Sequence, residues 1–191
     1  MPLLSKLLVD ARFYHVLTSI DSDLAETARG VGCACSGVLH SARYPRKPRG
    51  LPNDHHGDDR RASFCCATCR KRTTPASVRF LGRRVYLGAV VVLATAMQQG
   101  PSPWRVRRLR ELLGVSAQTL ARWRTWWAEA FGESAFWKVA RAAFSPPVAT
   151  TAAPSSLLEC FLGESHEQLA ALLRFLSPLS TTAAYVPDRR R

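Results

Sequence analysis

"SFCCATCRKRTTP", Ser63 to Pro75, poses the first question about this chain. Cys65, Cys66 and Cys69 crowd into it, and a basic run and a proline follow at once. Either it is half of a metal site, or it holds buried thiols beside a solvated charge run. The spacing Cys66-Ala67-Thr68-Cys69 favours the metal. A structural zinc takes four soft ligands in a tetrahedron, and ribbon-type sites draw two from each of two tight turns, usually spaced Cys-x2-Cys. Upstream, "GCACSG" supplies Cys33 and Cys35 between the small residues Gly32 and Gly37, which suit a tight turn. Its spacer is one residue rather than two, which strains the usual turn.

Three arrangements follow. The first is a distorted four-cysteine site of Cys33, Cys35, Cys66 and Cys69. In the second, Cys65 replaces Cys66 or His40 replaces Cys33. The third is a degenerate site that holds no metal. The first makes one structural zinc the expected cofactor. Four protein ligands leave no open coordination position, so metal-assisted hydrolysis is not expected there.

Composition points to the partner. The chain has 191 residues, with 27 Lys+Arg against 14 Asp+Glu and a formal charge of +13. Such a balance predicts attraction to a polyanion, either nucleic acid or an anionic membrane. Arginine dominates, and its planar fork suits phosphates and guanine edges. A compositional bias toward Arg and Ala explains part of that count but not the excess over acids. The best apolar run, Val85 to Met97, is shorter than the ~20 residues that span a bilayer and reads as a buried helix. Lys6, Asp10 and Arg12 interrupt the N-terminus, so it does not read as a signal peptide. A cytoplasmic, nucleoid-associated protein is expected, with no membrane partner. In such a reducing compartment clustered cysteines serve metals more often than disulfides.

The fold class read from the sequence is mainly α with a small β zinc-ribbon-like insert and a helix-turn-helix. Residues 1–30 form an N-terminal helical segment. Leu4, Leu7, Leu8, Phe13 and Leu17 follow helical spacing, and Asp21 or Ser22 is expected to cap a second helix. Residues 31–76 form the ribbon-like segment, with short strands expected at Gly37–Arg43 and Arg61–Cys65. Between them lies a polar, proline-rich loop. Residues 83–141 hold the helix-turn-helix, 142–156 read as a Pro/Ala/Thr-rich linker, and 157–191 as a C-terminal helical segment. There Ser165 with Gln168 matches a capping box, and Leu169, Leu172, Leu173 and Leu176 make one apolar stripe. Cys160 reads as a small core residue.

The second functional signal is "PWRVRRLRELLGVSAQTLARWRTWW", Pro103 to Trp127. Two helices are predicted to meet at Gly114, where a sharp turn needs positive φ. Leu109, Leu112, Leu113, Val115, Leu120 and Trp123 would face inward, with Trp104, Trp126 and Trp127 as further core. Ser116 caps the second helix. This spacing is that of a DNA-binding helix-turn-helix, whose second helix enters the major groove. Ser116, Gln118, Thr119 and Arg122 would meet base edges, with Gln118 suited to adenine and Arg122 to guanine. Arg105, Arg107, Arg108 and Arg124 would hold phosphates. Double-stranded DNA is therefore the expected partner. The plainer alternative is a helical hairpin with a solvated basic face.

These motifs together resemble transposase-related proteins of bacterial insertion sequences. The resemblance covers roughly residues 12 to 130, and "RTTPASVRFLGRRVY" (72–86) is its most specific part. It implies sequence-specific binding to element-end DNA, a zinc ribbon ahead of a helix-turn-helix, and two-residue spacers in both cysteine turns. Cys66 and Cys69 match that pattern, while Cys33 is displaced by one position from its first ligand.

Transposase catalysis needs three carboxylates holding two metal ions on a sheet-containing domain. Beyond Cys69 the acids are Glu111, Glu129, Glu133, Glu159, Glu164, Glu167 and Asp188, mostly on predicted helices. A non-catalytic binding module is therefore expected. Two other classes stand beside it. One is a small metal-dependent nuclease using the loop from Asp54 to Asp59, with His55, His56 and Asp58. The other is a protein-interaction or regulatory module with a decayed zinc site. In it the Leu169–Leu176 stripe would pair with a partner or a second copy of the chain.

Overall fold

A computed structural model describes residues 10–46, 60–81, 86–96 and 102–181. The expectations for Leu4 to Leu8 and for the Asp54–Asp59 loop lie outside these residues, as do the side chains of Arg105, Arg108 and Leu112.

The described residues begin with one long helix, α1 (Ala11–Val31), whose first turn is capped by the Asp10 side chain accepting from the Arg12 backbone N–H. The expected helix start at Asp21 or Ser22 is not observed, because the helix runs straight through both. Asp21 is buried instead and serves another segment. Its carboxylate accepts from Ser77 Oγ (2.7 Å), Val78 N (2.7 Å) and Arg79 Nε (2.7 Å). A buried carboxylate persists only when paired and hydrogen-bonded, and this one has both.

After α1 come β1 (Leu39–Pro45) and β2 (Arg60–Cys66), antiparallel, with the two-residue β3 (Arg72–Thr73) on the far edge of β2. Leu39 pairs with Cys66, Ser41 with Phe64 and Arg43 with Ala62. Strand alternation then places Ala62, Phe64 and Cys66 on one face. That face packs on Ala25 and Ala28 of α1, forming a small apolar cluster of its own.

A second, two-stranded sheet pairs β4 (Phe80–Leu81) with β5 (Tyr86–Leu87) and leads into α2 (Gly88–Thr95). The apolar run of the sequence is thus a short buried helix entered from a strand. Among the described residues no helix is long and apolar enough to cross a membrane. Next come α3 (Pro103–Leu113) and α4 (Ala117–Thr125), which continues as a π-helical stretch over Trp126–Phe131. Then follow α5 (Ala135–Ala140), α6 (Ser155–Leu158) and α7 (Ser165–Leu176). The architecture is mainly helical with a small antiparallel sheet, as expected.

One core joins these helices. Phe13, Tyr14 and Leu17 of α1 share it with α2, with Leu109, Leu113, Val115 and Leu120, with Trp127, Phe131 and Trp137, and with the α7 leucines. Leu169, Leu172, Leu173 and Leu176 are all fully buried inside the chain, so no apolar stripe is left on α7 for a second copy. Trp104 is 56% exposed and is not part of the core. Residues 142–156 are not a linker. Phe144 stacks among Trp137, Phe161 and Phe175, Pro154 is buried, and Ser155 Oγ donates to the Ala96 carbonyl (2.6 Å). Two aromatic-rich flanks recruit a segment whose composition alone suggests an extended chain. The capping box of α7 sits one residue earlier than expected, on Glu164 and Glu167. Cys160 is exposed, its thiol donating to the Ser156 carbonyl (3.1 Å) in the turn after α6.

Candidate functional site

Cys33, Cys35, Cys66 and Cys69 come together, with all four sulfurs within 4.8 Å of one another. Cys33 Sγ lies 3.5 Å from Cys69 Sγ, and Cys35 Sγ lies 3.4 Å from both Cys33 and Cys66. All four are free thiols. A zinc tetrahedron with Zn–S bonds of ~2.3 Å has S···S edges of about 3.8 Å, so a slight expansion of this cluster fits a metal ion of that preference.

Two turns deliver the sulfurs, and they solve the one-residue difference in spacing. In the second turn the Arg70 N–H donates to the Cys66 carbonyl (3.1 Å), closing a five-residue loop. In the first the Ser36 N–H donates to the Cys33 carbonyl (2.8 Å), closing a four-residue loop. The shorter spacer is met by a tighter turn. Each turn ends on a non-glycine residue of positive φ just after its second cysteine, Ser36 (58°) and Arg70 (58°). A left-handed residue there is uncommon and turns the chain sharply out of the site. The turns are tied by the Ala67 N–H donating to the Val38 carbonyl (2.8 Å). Gly37 is required by space. A Cβ there would lie 2.6 Å from Cys66 Sγ and 2.6 Å from Thr68 Oγ1.

The electrostatics suit a cation. The Cys69 N–H donates to Cys66 Sγ (3.5 Å). That bond, against a raising push from burial, pulls the Cys66 thiol down to about 6, with help from the Cys35 thiol and the Thr68 N–H. Cys69 moves oppositely. The Lys71 backbone N–H lowers it, but the thiols of Cys35, Cys33 and Cys66 outweigh that and push it up to about 12. Negative sulfurs this close repel one another, so the first thiolate discourages the next. A bound dication removes that repulsion.

The alternative ligands are placed elsewhere. Cys65 and His40 sit opposite each other across β1 and β2, and His40 is exposed. The Cys65 thiol points to the Arg70 carbonyl (3.6 Å).

The second candidate site is the turn between α3 and α4. Gly114 takes φ 62°, Val115 is buried, and Ser116 Oγ accepts from the Thr119 N–H (3.2 Å) as the cap of α4. Leu109, Leu113 and Leu120 are buried and Trp123 packs partly buried on the core, as expected. Ser116, Gln118 and Arg122 are exposed, as is Arg107 on α3. Thr119 is not available to a ligand. It is buried, and its hydroxyl lies between Ser116 Oγ (3.1 Å) and Arg122 Nη2 (3.2 Å). It therefore orients its two neighbours. Arg124 is half-buried, with Nη1 tucked into the protein and lacking an acceptor among the described residues.

Sequence reasoning missed the role of Asp21 and the positive-φ residues Ser36 and Arg70. Asp21 carries no signal of its own in the sequence, since Asp23 and Glu26 stand beside it on the same helical stretch. Compared with known proteins, the chain matches no family model, no curated protein and no solved structure.

Proposed function

We propose that the chain is a sequence-specific DNA-binding protein related to transposases, non-catalytic, with a structural zinc ion at the four-cysteine centre. The observation that carries this reading is the start of α4. A capped helix follows a three-residue turn, and its first two turns hold Ser116, Gln118 and Arg122 exposed on a chain of charge +13. Read as a helix-turn-helix, α4 enters the major groove by its N-terminal end. Gln118 then pairs with adenine and Arg122 with guanine, each through two hydrogen bonds. Thr119 holds the Arg122 guanidinium from within. Arg107 contacts the backbone and sets register without reading sequence.

Zinc is the metal that four thiolates in a tetrahedron favour, and a closed four-sulfur shell gives it a structural task. It would fix the two turns to each other and hold the sheet against α1.

The test is selection of bound duplexes from a random pool by the metal-loaded full chain. An enriched motif is expected. Arg122→Ala should cost ~1–3 kcal/mol at that motif and relax preference at one base pair. A pool that stays random, with Arg122→Ala binding every duplex as the parent does, overturns the reading.

A further inference from the structure

A cleft of about 170 Å³ opens between α1 and the face of β1 and β2, on the ribbon rather than on α4. Its helical wall is Thr18, Ser22, Glu26 and Arg29, which recur along one side of α1. Its sheet wall carries Ser41, Arg43 and Arg60, and Arg61 and Arg79 complete the lining with Asp21. Among the described residues five arginines therefore line this concave surface with two carboxylates.

The balance is more lopsided than that ratio. Asp21 is already committed to Arg79, Ser77 and Val78. Arg61 is only 6% exposed, and its guanidinium donates to neutral oxygens, those of Pro75 (3.2 Å) and Ser180 (2.9 and 3.4 Å). Its Nε–H has no acceptor among the described residues. Asp21 is the one carboxylate whose field reaches Arg61 among the described residues, and it is shared with Arg79, so positive potential remains at the wall that Arg61 lines. Low-dielectric walls focus such a field into the cleft. Arg29 and Arg43 add exposed guanidinium groups at its edges. Arginine is the side chain whose fork matches a tetrahedral oxyanion with two hydrogen bonds. Ser41 adds a hydroxyl of the kind that serves phosphate oxygens, while the Ser22 hydroxyl donates to the Thr18 carbonyl (3.1 Å). Among the described residues Glu26 is the one lining carboxylate with no ion pair, and it opposes an anion.

We propose that this cleft is an oxyanion site that seats a phosphate group. It does not depend on how α4 is used. The phosphate comes either from a nucleic-acid backbone or from a free phosphate-bearing small molecule.

The test is calorimetric titration of the metal-loaded full chain with inorganic pyrophosphate at fixed ionic strength. One saturable site per chain is expected. Arg43→Gln and Arg29→Gln, both at exposed positions that leave the core intact, should each weaken it at least tenfold. Glu26→Gln should tighten it several-fold. Arg141→Gln, at an exposed position on another part of the chain, should bind as the parent does. Absence of a saturable site overturns the proposal, and so does binding unchanged in both Arg43→Gln and Arg29→Gln. A further arm adds duplex DNA. Displacement of pyrophosphate by DNA supports the site and assigns it to a backbone phosphate. Retention of pyrophosphate beside bound DNA supports it and assigns it to a free small molecule.

Discussion

Among the described residues the ribbon buries Ala25, Leu39, Phe64 and Cys66 as a cluster, whereas the helical body buries one from Phe13 to Leu179 that includes Trp127, Phe131 and Leu172. The two regions touch along α1, yet they are held by different physics. Fully burying a large apolar side chain contributes ~1.5–3 kcal/mol, and among the described residues the ribbon has two such side chains, Leu39 and Phe64. Ordering its strands and turns costs ~1–2 kcal/mol per residue in backbone entropy. Those two side chains do not offset that, and a region so small needs a cross-link. The helical body needs none. Its aromatic rings stack at 4.9 Å between Trp127 and Phe131 and 5.1 Å between Phe131 and Trp137, over a floor of fully buried leucines.

Removing the proposed metal attacks the difference most directly. Structural zinc sites carry apparent binding free energies of ~10–16 kcal/mol that are also folding free energy. Chelation at neutral pH should therefore collapse the amide dispersion of residues 33–73 in NMR spectra while the far-ultraviolet helical signal persists. Cys66→Ser/Cys69→Ser should reproduce that pattern without a chelator. A ribbon that stays dispersed after chelation would mean that its small core suffices and that the two regions are alike.

Asp21→Ala tests the joint between them. Asp21 belongs to α1, yet it fastens Ser77, Val78 and Arg79, and Arg79 Nη2 in turn donates to the Arg60 carbonyl of β2 (2.8 Å). Removing one partner of a buried pair typically costs ~3–5 kcal/mol, because the other charge is left in place. The melting temperature of the body should fall, and the metal should be retained less tightly than in the parent. A loss of body stability with metal affinity unchanged would show the regions to be independent.

This joint marks where the sequence stops being legible. The cysteines could be read because metal chemistry demands four soft ligands from two tight turns, and the quartet Cys33, Cys35, Cys66 and Cys69 is the one assembled. The turn at Gly114 and the cap at Ser116 could be read because both are local. Asp21 could not, since an acid in a helix looks the same whether it caps, faces water or pairs with a residue 58 positions away. Residues 142–156 misled for a similar reason. Their composition is that of a linker, and only the rings of Trp137, Phe161 and Phe175 give Phe144 a place to dock. Thr119 looked like a base-reading residue from its place near the start of α4, but its side chain falls on the inner side of the helix. Spacing identifies a face only when the helix's rotation about its own axis is known.

The finest test uses one glycine from each region. At Gly37 a Cβ would meet Cys66 Sγ and Thr68 within 3 Å, so Gly37→Ala is a problem of space beside the metal. Overpacking of that kind costs ~1–3 kcal/mol. It should appear as weaker metal retention in a competition titration, with the body's melting temperature unmoved. At Gly114 an added Cβ meets nothing within 4 Å, so Gly114→Ala is a problem of conformation alone. Holding a non-glycine residue at φ 62° costs ~1–2 kcal/mol. It should lower the melting temperature of the body by a few degrees and leave metal affinity untouched. The two substitutions are chemically identical, so a difference in where their costs appear comes from the regions themselves. If both shift metal affinity and melting together, the ribbon and the body unfold as one unit.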